Sequence, residues 1–115
     1  MGIMIEGVIV SPLKVIDVEN GNVLHAMKSI DNGYEGFGEA YFSTIKSGMI
    51  KGWKRHKDMT LNLVVPKGIV RFILFDSRDD SISKGQYFEV SLSQENYNRL
   101  TVPPMVWMGF QGLEE

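Results

Sequence analysis

Turn-forming residues recur along this chain at intervals too short for an amphipathic helix of typical length. The turn signals are Asn20-Gly21, Asn32-Gly33, Pro66-Lys67-Gly68, Lys84-Gly85 and Pro103-Pro104. The segments between them are of strand length and rich in β-branched and aromatic residues; examples are residues 7–10, 23–27, 61–65 and 69–75. None keeps an apolar period of 3.6 residues over a window of about eleven residues. Many short strands joined by regular turns predict an all-β sandwich or barrel.

Three segments give more local expectations. Asn20-Gly21 lies between the apolar runs 15–18 and 23–26, so we predict a β-hairpin with a two-residue turn. Residues 33–38 are rich in glycine and predict a flexible surface loop. Residues 93–99 are the one helix-like piece, in which the leading serine could cap a single helical turn.

Composition limits the kinds of partner and site. A chain of 115 residues is expected to form one domain, spanning residues 1–115. Twelve Lys and Arg against fourteen Asp and Glu give a net charge of −2, so we expect neither a nucleic-acid nor a membrane partner. There is no cysteine, and the only histidines are His25 and His56, which excludes a three-histidine metal site. No membrane-length apolar run or secretory signal is recognised, so we predict a cytoplasmic protein.

The densest polar and aromatic cluster is residues 51–58. One interpretation is a basic, solvated loop between strands. The other uses strand alternation, which puts Lys54 and His56 on one face of a strand, where a β-bulge at Gly52 would bring Lys51 as well. Cations that converge in a cavity would bind a phosphorylated or diphosphate ligand.

Three further segments have simpler interpretations. Residues 100–110, in which two prolines precede an aromatic-rich strand, predict core and edge architecture. Residues 76–81 predict a charged turn. In residues 59–65 the apolar side chains at every second position alternate with Thr60, Asn62 and Val64. The sequence leaves open which of these two sets faces the interior.

Three stretches of the sequence match one known pattern of motifs. Residues 48–56 are similar to a Gly-Val-Leu-Arg-Gly-Leu-His segment, and the run from Gly68 to Asp76-Ser77-Arg78 matches a Gly-Glu-Val to Asp-Leu-Arg spacing. Residues 85–110 match, without a gap, a Leu-Ser-x-Glu-Asn stretch followed by Pro-Pro and Gly-Phe. The chain thereby resembles the dTDP-4-dehydrorhamnose 3,5-epimerases over about residues 7–110. That resemblance implies a cupin, a double-stranded β-helix jelly roll, and a homodimer.

The resemblance also implies a reaction. Such enzymes act on nucleoside-diphosphate 4-keto-6-deoxysugars: a base removes a proton beside the ketone, and a proton returns on the other face of the sugar. The family's catalytic histidine aligns with Lys54, the histidine before Gly-Phe with Met108, and the expected aspartate partner with Phe72. No cofactor is implied. Of the four ligand positions of metal-binding cupins only His56 carries a ligating side chain, so we expect no metal.

These positions define the candidate site. His56 is the candidate general base, because the ordinary pKa of a histidine lies near neutrality. Lys54 is the second catalytic candidate, because an apolar cavity and neighbouring cations would lower the pKa of its ammonium group. The substrate-binding candidates are Lys51, Trp53, Arg55, Tyr41, Asn62, Trp107 and His25.

Three functions are compatible with these residues. The first is an epimerase or isomerase that acts on a dTDP-4-keto-6-deoxyhexose in deoxysugar or surface-polysaccharide biosynthesis. The second is a catalytically inactive module that binds a nucleotide sugar, because Lys54, Met108 and Phe72 replace the family's polar groups. The third is a jelly roll whose lumen is filled by its own core, which requires the apolar set of residues 59–65 to face inward. We expect the first.

Overall fold

A computed structural model describes residues 4–114, and their regular structure consists of strands. The strands are β1 (Ile9–Pro12), β2 (Val15–Ile16), β3 (Val23–Leu24), β4 (Ile50–Lys54), β5 (Leu61–Leu63), β6 (Ile69–Asp76), β7 (Tyr87–Leu92), β8 (Asn98–Val102) and β9 (Val106–Glu114). Within the described residues, no helix is long and apolar enough to cross a membrane.

The strands form two main sheets and a hairpin. One sheet has the order β1-β8-β5, the other has the order β4-β9-β6-β7, and β2 pairs with β3. All of these strand pairings are antiparallel. Both main sheets contribute side chains to one hydrophobic core, so they form the two layers of a sandwich. The all-β prediction is therefore confirmed.

Strand β6 shows how alternation builds the core. Phe72 and Leu74 are buried, whereas Arg71 and Ile73 between them are half-buried. Leu74 in this sheet and Leu100 in the other are fully buried, and burying such a side chain stabilises the fold by about 1.5–3 kcal/mol. We call the side of the four-stranded sheet that carries Phe72 and Leu74 the inner face, and the opposite side the outer face.

The hairpin predicted at Asn20-Gly21 forms, but its loop is longer than predicted. The ladder of β2 and β3 ends at the pair Ile16 and Val23, which leaves residues 17–22 as the loop. This loop contains its own turn: the Gly21 N–H donates to the Val18 carbonyl, and the Val18 N–H donates to the side-chain oxygen of Asn22. The two-residue turn was wrong because these local bonds satisfy backbone groups that a longer ladder would have paired.

The helix-like segment after β7 is a turn. The Ser93 hydroxyl accepts the Asn96 N–H at 3.1 Å, so the predicted capping contact exists. The chain then enters β8 at Asn98, and β8 pairs with both β1 and β5. The helical turn was wrong because the central strand of the three-stranded sheet takes these residues. Residues 33–38 lack regular structure and are largely exposed, which confirms the predicted surface loop.

The charged turn predicted after β6 is organised around a buried carboxylate. Asp76 is fully buried, and Arg78 donates to its two oxygens from Nε at 2.9 Å and from Nη2 at 3.0 Å. The hydroxyls of Ser81 and Ser83 donate to the same carboxylate. Arg78 Nη2 also donates to the Glu6 carbonyl at 2.6 Å, which ties residues before β1 to this turn. The guanidinium and the hydroxyls together hold the pKa of Asp76 well below its usual range.

Candidate active site

A β-bulge in β4 places two lysines on the same face of the sheet. Lys51 pairs with Phe110 and Lys54 pairs with Met108, so three steps along β4 match two steps along β9. The bulge that would bring Lys51 to this face is therefore present. Gly52 is required there because a Cβ atom on it would lie 2.9 Å from the Gly109 Cα, closer than real Cβ atoms approach backbone.

The face that carries these lysines is the inner face. Phe110 pairs with Phe72 of β6, and their ring centroids are 5.7 Å apart; Met108 pairs with Leu74. All four side chains belong to the core or pack against it. Lys51 and Lys54 extend this inner face beyond the core, and they are exposed because β4 is the last strand of its sheet.

The positions at which the resemblance expects a histidine and an aspartate are apolar and buried. Met108 and Phe72 lie diagonally across neighbouring strands on the inner face, and both are core residues. A single polar group at either position would lose its hydration without gaining a partner, so the two apolar residues are consistent with each other. The polar groups of the candidate site on the inner face are therefore those of β4, Lys51 and Lys54.

His56 is half-buried and lies two residues beyond the end of β4, so strand alternation does not put it on one face with Lys54 as expected. Its carbonyl accepts the Met105 N–H at 2.7 Å, which fixes this segment against the turn that leads into β9. Lys51 Nζ donates to the Thr44 carbonyl at 2.8 Å. The bulge puts Lys51 and Lys54 on one face, and these two bonds hold the His56 backbone and the Lys51 ammonium group.

Three predicted substrate contacts lie on the outer face instead. Trp53, Phe75, Tyr87 and Trp107 line an open cleft of about 320 Å³ on that side. The Arg55 guanidinium lies 4.7 Å from the centroid of the Trp107 ring, a cation–π contact. The structure thus brings Trp53, Arg55 and Trp107 together with one another on the outer face.

Asn62 lies on the other sheet and faces away from the core. Its side-chain oxygen accepts the Thr101 hydroxyl at 2.6 Å, and its Nδ2 donates to the Gly33 carbonyl at 3.0 Å. Its neighbours Leu61 and Leu63 pack against the core. The orientation of β5 that the sequence left open is therefore established. Its apolar side chains, Leu61 and Leu63, face inward and fill the interior next to this strand.

The last two predicted contacts lie outside both faces of the four-stranded sheet. His25 is half-buried just after β3, where its carbonyl accepts the Tyr97 hydroxyl at 2.7 Å. Tyr41 lies in the segment without regular structure that precedes β4, and 72% of its surface is exposed.

Sequence reasoning missed Arg71 and Gln111. Both line a second outer-face cleft of about 210 Å³, which Lys51 also borders. Arg71 donates to the Gln111 side chain and lies 3.7 Å from a Glu89 carboxylate oxygen. Alternation with the buried Phe72 would have predicted this outward position, but the apolar run around Arg71 concealed it. Among residues 4–114, no three His, Cys, Asp or Glu side chains are grouped as metal ligands.

Comparison with known proteins identifies the family. The family model described as dTDP-4-dehydrorhamnose 3,5-epimerase matches residues 4–115. The chain belongs to this family. A solved dTDP sugar isomerase from Desulfovibrio desulfuricans is 38% identical with a TM-score of 0.91, covering 96% of this chain and 72% of that one. The solved epimerase structures that are similar to this chain have the cupin jelly-roll fold, so the predicted fold is confirmed.

Two curated relatives of this epimerase family also match. The spore coat polysaccharide biosynthesis protein SpsL of Bacillus subtilis is 30% identical over 112 residues, which are 97% of this chain and 74% of SpsL. The probable low-salt glycan biosynthesis epimerase Agl13 of Haloferax volcanii is 27% identical over 111 residues, which are 95% of this chain and 71% of Agl13. One name concerns the biosynthesis of a spore coat polysaccharide and the other the biosynthesis of a glycan.

Proposed function

We propose that this protein is an epimerase or isomerase of a dTDP-4-keto-6-deoxyhexose in deoxysugar or surface-polysaccharide biosynthesis. The observation that carries the proposal is the bulge in β4, which puts Lys51 and Lys54 on one face in the segment that resembles the family's catalytic motif. Family membership over residues 4–115 supports the same reaction class.

The reaction needs a base and a group that stabilises negative charge. The base takes a proton from a carbon beside the ketone, and the electron pair of that C–H bond moves through the new C=C bond onto the ketone oxygen. The resulting enolate collapses when a proton is delivered to the opposite face of the carbon. We assign the base to His56, and we assign to the Lys54 ammonium the stabilisation of the enolate oxygen.

The nucleotide carries a diphosphate, for which Lys51 is our proposed contact. A lysine binds phosphate as a point charge, and Lys51 lies on the same face as Lys54. Trp53, Arg55 and Trp107 lie on the outer face, and His25 and Asn62 lie elsewhere, so the proposed reaction centre uses none of them. No step of this mechanism passes through a metal or a cofactor.

The test is exchange of substrate protons with solvent. The protein is incubated in heavy water with dTDP-4-keto-6-deoxyglucose, and deuterium at the carbons flanking the ketone is followed by NMR. The proposal expects deuterium to enter at one or both carbons at a rate proportional to enzyme concentration. Unchanged substrate after a long incubation, with protein that is folded by circular dichroism, would refute it.

The alternative is a module that binds the nucleotide sugar without turnover. The buried apolar pair Phe72 and Met108 is the observation in its favour, whereas the relatives named as epimerases favour the enzyme. Thermal stabilisation by dTDP without deuterium exchange would support binding alone. We also propose that the protein acts in the cytoplasm, whose reducing conditions fit a chain without cysteine, and that it acts as a homodimer.

A further inference from the structure

The two clefts on the outer face of the four-stranded sheet meet at one side chain. Trp53 lines both of them, and we call the two together the outer groove. The pairs that stand across β6 and β9 on this face are Phe75 with Trp107, Ile73 with Gly109, and Arg71 with Gln111. Gly109 has no side chain, so it leaves a gap in the β9 row between the two ends of the groove.

One end of the outer groove is aromatic and held in place. Trp107 Nε1 donates to the Ser77 hydroxyl at 3.1 Å, and the Arg55 guanidinium covers one face of the Trp107 ring. The rings open to solvent are those of Trp53, which is 51% exposed, and Tyr87, which is 62% exposed. Exposed aromatic rings grouped in a cleft offer flat apolar surfaces on which a ligand ring can stack.

The other end of the outer groove is cationic. Arg71 donates to the Gln111 side chain, and its ion pair with Glu89 is long at 3.7 Å and partly exposed, so it compensates little of the charge. The buried Arg71 Nε has no hydrogen-bond partner among residues 4–114. A planar guanidinium with spare donors matches the two oxygens of a carboxylate. This end of the groove therefore suits an acidic group.

The length and openness of the groove indicate a chain of linked rings. Phe75 and Arg71 are four residues apart on β6, which places them about 14 Å apart along the strand. This span is longer than one pyranose ring. A pocket for a single small molecule encloses most of its ligand, whereas an open groove leaves one side of its ligand in solvent. The core of a protein interface is depleted in charged residues, so Arg71 disfavours a protein partner here.

We propose that the outer groove binds an acidic oligosaccharide of at least two pyranose rings. The C–H groups of a pyranose form an apolar face that stacks on Trp53 and Tyr87, and a ring carboxylate pairs with Arg71. The choice of a saccharide among chains of linked rings rests on the proposed function in polysaccharide biosynthesis. The groove is on the outer face and Lys54 is on the inner face, so this oligosaccharide is not the substrate of the proposed epimerisation.

The two tryptophans of the chain make the groove directly observable. Both Trp53 and Trp107 line it, so both indole N–H signals in a nitrogen–proton correlation NMR spectrum report on this groove. The protein is titrated with trisaccharides of galacturonate, glucuronate and mannuronate, and with the neutral trisaccharides of the same linkages. We expect at least one uronate trisaccharide to shift both signals, with a Kd at least tenfold lower than that of its neutral counterpart.

Substitutions then assign the two ends of the groove. Arg71→Gln should raise the Kd for the uronate trisaccharide at least tenfold and leave the Kd for the neutral one unchanged. Lys14→Gln removes the same charge from an exposed position between β1 and β2 and should change neither Kd by more than twofold. Tyr87→Ser, at an exposed ring, should weaken binding of both trisaccharides.

Three outcomes would overturn the inference. They are indole signals that no uronate trisaccharide shifts, equal Kd values for acidic and neutral trisaccharides, and signals that dTDP shifts while the uronate trisaccharides do not. These readouts need no turnover. Shifted indole signals without deuterium exchange would therefore refute the proposed reaction alone, and deuterium exchange without shifted signals would refute the saccharide site alone.

Discussion

Replacing Gly52 by alanine tests whether the close approach of β4 and β9 organises the site. The new methyl carbon would lie 2.9 Å from the Gly109 Cα, whereas ordinary contacts of this kind lie at 3.4–4 Å. The strands must therefore separate by 0.5–1.1 Å (3.4 − 2.9 and 4.0 − 2.9), and β4 moves more easily because it is the edge strand. Lys51 and Lys54 would move with it.

The expected cost follows from overpacking. Forced separation of packed groups destabilises a protein by about 1–3 kcal/mol, which for a domain of this size lowers Tm by roughly 4–12 °C. Misplacement of catalytic groups by about 1 Å can reduce turnover about 100-fold. We therefore expect G52A to remain folded at 25 °C but to lose about 100-fold in the rate of deuterium exchange.

The matched control is G109A, on the other side of the same contact. A Cβ on Gly109 would lie 3.5 Å from the Lys51 carbonyl oxygen and 3.8 Å from the Gly52 Cα, which are ordinary distances. Its stability should stay within about 0.5 kcal/mol of the wild type, and its exchange rate should stay within a fewfold. Thermal unfolding and NMR exchange measure both variants. Equal effects of the two substitutions, or a fully active G52A, would refute the reasoning.

Three further substitutions test the fold. Asp76→Asn leaves Arg78 without its carboxylate and should cost about 3–5 kcal/mol of unfolding free energy by urea titration; a loss below about 1 kcal/mol would contradict this. The pKa of Asp76 is lowered in the folded protein. The contribution of its carboxylate to the free energy of unfolding is therefore complete above the unfolded pKa of about 4 and is lost as pH falls through the folded pKa. The free energies of unfolding of wild type and D76N should accordingly converge in acid. Arg99→Lys removes a buried guanidinium that donates to the carbonyls of Ala26 at 2.7 Å and Asn32 at 3.0 Å. Limited proteolysis should therefore cut the loop between Ala26 and Asn32 faster, and unchanged cleavage would show that Arg99 does not hold this loop. Leu74→Ala should cost about 2–5 kcal/mol in the same titration, and a loss below about 1 kcal/mol would show that the site is not core.

The strands and the bulge could be predicted because their causes are local. Short apolar runs between turn residues specify strands, and a glycine inside the lysine-rich segment made Gly52 the position at which a bulge would shift the register. The bulge also changes which residues share a face. Its extra residue puts Trp53 on the outer face while keeping Lys51 and Lys54 together on the inner one. Sequence reasoning grouped the tryptophan with the lysines because it had no register for the strand pair.

The rest of the candidate site depends on contacts between residues distant in sequence. The Asn62 side chain forms hydrogen bonds with Gly33 and Thr101, and no local pattern in the sequence predicts those partners. Arg99 is buried because a loop some seventy residues earlier in the sequence encloses its guanidinium, although arginine is usually exposed. The inward orientation of Leu61 could be predicted only as one of two registers, since a shift by one residue exchanges the two faces.

The most direct test of the central claim compares two lysines of the same basic segment. Lys54→Met removes the cation that we assign to the enolate, and Lys57→Met removes a neighbouring exposed cation that has no role in the mechanism. Both variants are incubated with dTDP-4-keto-6-deoxyglucose in heavy water, and the initial rate of deuterium entry beside the ketone is measured. The account predicts a loss of about 100-fold or more for K54M and a rate within twofold of wild type for K57M. Equal rates in the two variants would contradict it.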